Sequence, residues 1–190
     1  MNADLIARTF DVLHRAGAEF APGLTDDEFE QLESTFNFRF APDHRDFLAR
    51  ALPIRDRWVD WRTDDMRSLQ RSFDWPIEGI IFDVHENAFW PGAWGERPSD
   101  ACSAEEVARR ELASWPTLVP LYGHRYIAAA TADGASPVFS AYQSDVILYG
   151  ADLHEYVLNE FHRNQFEVNQ PTTRIPFWSD LAEGVEPCAN

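Results

Sequence analysis

The sequence predicts an α+β domain: a small, mainly antiparallel sheet with helices packed on one side, opened by N-terminal helices and closed by a C-terminal one. Three observations carry this. Segments with helical apolar spacing and explicit start signals fill residues 3–51. Four short strand-like segments with Gly or polar turns between them fill residues 117–149. Another helical segment follows at 153–161. Helices, then neighbouring strands, then a helix is an α+β order, and the short links imply antiparallel pairing. A length of 190 residues suits one domain, expected at residues 1–166 with an extended tail at 167–190.

The elements follow in order. Ile6, Phe10 and Leu13 give Ala3–Ala16 a helical face, with Gly17 as its stop and Pro22-Gly23 as a turn. Thr25 and Glu28 form a capping box, and Leu24 and Phe29 occupy the hydrophobic-staple positions. Phe29, Leu32 and Phe36 form that helix's apolar face, and Asn37 ends it. A short aromatic, strand-like link leads to a helix with Pro42 in its first turn. Phe47, Leu48 and Ala51 are its buried face and Pro53 its stop. Ile54–Trp61 is aromatic and suits an extended segment. Thr63-Asp64-Asp65 opens a helix carrying Met66, Leu69 and Phe73, which Asp74-Trp75-Pro76 is expected to break. Gly79–Val84 reads as a strand, and Phe89–Pro98 as a loop rich in Trp, Pro and Gly. Ser103 and Glu106 suggest a second capping box for a helix through Ala113. Thr117–Tyr122, Arg125–Ala129, Pro137–Tyr142 and Asp145–Tyr149 are the four strands, punctuated by Gly123, Gly134 and Gly150. Asp152 caps the last helix, whose face is Leu153, Tyr156, Val157 and Phe161. Phe177, Trp178 and Leu181 are expected to anchor the tail.

Composition narrows the function. There are 32 acidic and 16 basic residues, for a net charge of −16, and every base is Arg. Without Lys there can be no Walker, Schiff-base or kinase-type Lys. The acidity argues against nucleic acid, whose phosphates require a cationic surface, and against anionic membranes. It is compatible with a basic protein partner, because opposite fields speed encounter, and charge alone favours the alternative of a soluble acidic surface with no such role. Cys102 and Cys188 lack metal-ligand spacing; two lone thiols suit a reducing cytosol, and a single bridge is the alternative. No apolar run reaches the ~18 residues of a membrane span, and the first residues lack the apolar core of a signal peptide. A cytoplasmic location is expected.

Leu24–Leu52 resembles the front of the SUKH superfamily, whose eukaryotic branch is the Smi/Knr cell-wall-assembly regulator. The matching residues are Leu24, Thr25, Glu28, Leu32 and Glu33, then Pro42, Arg45, Phe47 and Leu48. Phe40-Ala41, His44 and Leu52-Pro53 depart from the pattern. Leu118–Leu121, Pro137–Phe139 and Leu153–Phe161 resemble the family's central strand and its C-terminal end. Gly123–Tyr126 resembles a Gly-His-Arg-Tyr segment of a bacterial branch. The likeness spans residues 20–162 and implies a non-enzymatic protein-binding domain without cofactor or metal. Its bacterial members imply an immunity protein that binds and neutralises a toxin; the alternatives are a scaffold or regulatory protein of the same fold and, more remotely, a small hydrolase.

His44-Arg45-Asp46 copies a kinase triplet, but Ala51 stands where that pattern needs Asn. His85-Glu86 and His154-Glu155 lack the second His of a zinc helix. His124 and Asp145, near strand ends, are the pair a hydrolase would use, but no Ser or Cys stands in a nucleophile-elbow context, and a hydrogen-bonded His at a sheet edge is the favoured alternative. Arg125 is expected in an ion pair, with Asp145 as the nearest candidate. Trp58 and Trp61 suit rings closing over the core. Trp90 and Trp94, in a Gly- and Pro-rich loop, suit interface anchors or, equally, rings closing over the core. The expected partner-binding residues are therefore Trp90, Trp94, His124 and Arg125.

Overall fold

The first helix, α1 (Ala3–Arg15), buries Phe10 and Leu13 on one face, as their spacing requires. The structure, a computed structural model, describes residues 3–63, 65–130, 135–162 and 168–187. Asp64, Gly134, Phe166 and Cys188 lie outside them, as does the start of the expected tail. Strand β1 (Glu19–Pro22) follows, where the sequence pattern shows only the Pro22-Gly23 turn. It pairs antiparallel with β2 (Ala51–Ile54), setting Phe20 opposite Pro53. Pro53 therefore sits inside a strand and does not act as the stop. Lacking an N–H, it is tolerated because the sheet has only two strands. Between them, α2 (Asp26–Phe36) carries the expected capping box: Glu28 N donates to Thr25 Oγ1 and Thr25 N to Glu28 Oε2. Asn37, at φ 51°, ends it. The Phe38–Phe40 link is no strand, because Glu33 takes its amides: Phe38 N donates to the Glu33 carbonyl and Phe40 N to its carboxylate. Pro42 opens α3 (Pro42–Arg50).

The largest departure is α4 (Met66–Glu86), one helix of 21 residues running through Pro76. Asp65 caps it by accepting from Ser68 N. The expected break and the expected strand at Gly79–Val84 are both absent. The reason is periodic: Leu69, Phe73, Pro76, Ile80 and Val84 recur every three or four residues and are all buried. Burial along this face offsets the roughly 3 kcal/mol that an internal proline costs. A short apolar run such as Ile80-Ile81-Phe82 fits either period, and here the helix wins.

A single 3-10 turn, Gly92–Trp94, interrupts the next loop. Helix α5 (Ala101–Leu112) is capped by Asp100, which accepts from Ser103 N, so the cap lies three residues before the one expected. The four expected strands form an antiparallel meander, β3 (Leu118–Tyr122), β4 (Arg125–Ala128), β5 (Val138–Tyr142) and β6 (Asp145–Gly150), in that spatial order. Asp152 caps α6 (Leu153–Phe161) as expected. The C-terminal segment is more than an extended tail: it carries α7 (Trp178–Ala182), with Ile175, Phe177 and Trp178 buried.

The fold class is the expected one, with a fuller layer arrangement than one-sided packing. Val119, Ile127 and Val138 stand opposite one another in register and face a first cluster built by α1, α2, α3 and α6. Leu118, Tyr126, Ala128, Phe139 and Ala141 face a second, built by α5, α7 and the C-terminal half of α4. The N-terminal half of α4 joins the first cluster through Leu69 and Phe73. The almost wholly buried β3, β4 and β5 are what covering both faces demands.

Candidate partner-binding surface

The outward face of α4 carries Trp75 and, seven residues on, Phe82. Both stay exposed, at 51% and 48%, because the opposite face takes the core. Tyr142, at the β5–β6 turn, is 55% exposed beside them. Gly79 makes the neighbourhood possible: a Cβ there would stand 2.9 Å from the Gln143 backbone, so only glycine lets the turn lie this close to the helix. Trp75, Gly79, Phe82 and Tyr142 line a shallow cavity of about 220 Å³. Glu78 also borders it, with its carboxylate held by both Nη atoms of Arg109 at 2.7 and 3.0 Å. Exposed aromatics grouped this way are the residue types that anchor protein interfaces.

Trp75 and Tyr142 also line a second, open groove of about 750 Å³ between α4, residues 57–63 and the β3–β4 turn. Its floor includes Trp58, Pro120 and Tyr126, and its cations are Arg57 and Arg71, with His124 beside them. The turn is tied in place by Gly123 N, which donates to Arg57 O at 2.9 Å. Gly123, at φ +57°, lets the Arg57 side chain lie across it, 3.3 Å from where a Cβ would stand. Arg57 has no ion pair among the described residues, and Arg71 has only a loose one, 3.8 Å from Asp65. His124 is held toward its neutral form, first by burial, then by Arg125 and Arg57, with Glu160 opposing.

The residues singled out from sequence fall in three places. His124 is in the groove. Arg125 is not: it pairs with Glu160 at 2.9 Å rather than with Asp145, donates to Ser140 Oγ, and covers the Tyr149 ring at 3.9 Å. Trp90 and Trp94 lie together elsewhere, half-buried and edge to face, 5.3 Å apart. Trp90 Nε1 donates to Gly95 O, Arg97 covers its ring, and Trp94 packs against Phe89 and Trp115. Trp115 in turn touches Phe177 and Trp178, closing that edge of the second cluster. Trp61 is buried, and Trp58 stacks on Phe161.

The other motifs have internal partners. His85 meets Glu105 and His154 meets Thr9, at 2.9 and 2.8 Å. His44 is wholly buried against Phe40 and Trp61, and Arg45 pairs with Asp26. The backbone carbonyl of His124 accepts from Ala141 N, and no hydrogen bond joins its ring to Asp145 among the described residues. Among the described residues, no three His, Cys, Asp or Glu side chains gather as metal ligands, and no helix is long and apolar enough to cross a membrane. The sequence pattern does not single out Arg57, Arg71, Trp75, Phe82 or Tyr142 as surface residues of a site. The signal for two of them was the seven-residue spacing of Trp75 and Phe82, concealed by reading a break at Pro76.

Comparison with known proteins returns no match to a family model, a curated protein or a solved structure.

Proposed function

We propose that the chain is a non-enzymatic protein-binding domain, SUKH-like and of the immunity type, which works in the cytoplasm by binding and neutralising a toxin. Its partner is a protein, most simply a basic one, and neither nucleic acid nor membrane. The observation that carries this reading is the exposed group of Trp75, Phe82 and Tyr142 at the edge of an open groove. A soluble surface gains nothing from three large exposed rings side by side, whereas an interface uses them as anchors. The net charge of −16 adds a field that would draw in a basic partner.

The test is co-expression with a toxin-like reading frame encoded beside the gene. Wild type should restore growth, and the double variant Trp75→Ala/Tyr142→Ala should fold but fail to rescue. No rescue by wild type would end the immunity reading and leave the scaffold role of the same fold. Rescue by the double variant would move the interface elsewhere.

A further inference from the structure

We propose that the groove beside Trp75 receives a short extended segment of the partner that bears a carboxylate, seated between Arg57 and Arg71, with an adjoining apolar side chain on Trp75 and Tyr142. This deepens the protein-binding reading and rests on it. Three features argue for it. The groove is open and meets the shallow apolar cavity at a shared wall, Trp75 and Tyr142, so one extended segment can cover both. The arginines are unspent: in a chain with twice as many acids as bases, Arg57 has no ion pair among the described residues and Arg71 only a loose one. Among the described lining residues the one carboxylate, Asp60, is turned to the Arg62 backbone, accepting its N–H at 3.1 Å.

The polarity of the groove is thus opposite to that of the whole molecule. The two act over different distances. At physiological salt, charges are screened beyond about 8 Å, so a carboxylate in the groove meets the nearby guanidinium groups more than the distant acids. A nucleic acid would extend its phosphates over the acidic surface and be repelled, and a second copy would bring another −16. A carboxylate presented singly by a protein segment avoids both penalties. Arginine is suited to this because its planar fork can donate to both oxygens of a carboxylate.

The test uses the full chain, isotope-labelled and observed by NMR, with two probes: acetyl-Asp-Glu-Phe-Leu-amide and acetyl-Lys-Lys-Phe-Leu-amide. The acidic peptide should shift the Gly123 and His124 amides and the Trp75 indole along one saturating curve. The lysine peptide should bind at least tenfold more weakly. Arg71→Glu, at an exposed position, should weaken the acidic peptide about tenfold without moving the melting temperature, and Arg57→Glu should do the same. On saturation His124 should protonate at higher pH, because the bound carboxylate counters Arg57 and Arg125 and adds to Glu160. Equal binding of the two peptides, or shifts confined to Trp75, Phe82 and Tyr142, would overturn the carboxylate seat and spare the apolar anchors. No binding by either peptide, or tighter binding by a single-stranded oligonucleotide, would also overturn it. Rescue in the co-expression assay judges the protein-binding reading separately.

Discussion

Two tryptophan-rich regions of this molecule contrast sharply. At Trp90–Trp94 the rings lie in a loop and spend their edges on one another, on a backbone carbonyl and on Trp115. At Trp75 the ring stands on a helix, has no ring partner among the described residues, and leaves half its surface in water. A loop can fold its aromatics back against the nearest core. A helix cannot: once Leu69, Phe73 and Ile80 are committed inward, the 3.6-residue period holds Trp75 outward. Exposure of an aromatic thus depends on how freely its backbone can redirect it, more than on whether Gly and Pro surround it.

The sharpest way to break this contrast is to measure partner binding in Trp75→Ala/Tyr142→Ala. Affinity should fall by at least about 30-fold, or ~2 kcal/mol, as for hot-spot truncation, while urea stability stays within about 0.5 kcal/mol. Trp94→Ala should behave in reverse. Losing its contacts with Phe89, Trp90 and Trp115 should cost about 2 kcal/mol in urea unfolding, below the range for a fully buried Trp, with little change in affinity. If both variants lose binding equally, the two regions belong to one interface.

Such comparisons need a stability baseline across pH, which Asp43 and His44 govern. His44 is wholly buried, neither ring nitrogen has a hydrogen-bond partner among the described residues, and burial lowers its pKa from 6.5 to about 3. Its contribution is intact above pH 6.5 and is lost as pH falls toward 3, because only the unfolded chain takes the proton. Asp43 is the reverse. Burial raises it from 3.8 to about 6, so its contribution is intact below 3.8 and lost as pH rises through 6. Between about pH 4 and 6 the two slopes oppose and cancel. Asp43→Asn should expose the histidine alone, with stability falling by about 1.4 kcal/mol per pH unit from pH 6 to 4. His44→Phe should give the opposite slope. A flat profile in both variants would mean that neither group is held away from its usual pKa.

The smallest effect is expected at Gly79→Ala. Alanine suits a helix interior better by about 1 kcal/mol, but its methyl would press on the Gln143 backbone. A net loss of about 1 kcal/mol and a displaced Tyr142 resonance should follow. Greater stability in this variant would show that the turn yields easily, and that Trp75 and Tyr142 are not set together by this contact.

Local signals were the most legible part of the sequence. Thr25 with Glu28, Asn37, Pro42 and Asp152 each act through atoms within four residues, and all four stand where the sequence places them. The four strands were equally clear, because Gly and polar turns bracket them. Apart from the α5 cap, which lies at Asp100 three residues before Ser103, the departures depend on distant partners. Pro53 is in a strand only because Phe20 arrives from elsewhere in the chain, and Pro76 is tolerated only because the sheet and α5 cover its helix. The candidate surface failed for the same reason: it joins residues from α4, the 57–63 segment and two turns of the meander, a neighbourhood that no local pattern records. His124 alone was anticipated within it.

The uninterrupted α4 has a mechanical consequence. Its first half is embedded in one cluster and its second half in the other, so neither can come apart without disturbing a turn of helix that the other needs. Had Pro76 broken the chain there, the two cores would be separate melting units. Joined by a continuous row of backbone hydrogen bonds on either side of the proline, they form one cooperative unit, and heat should take both in a single step.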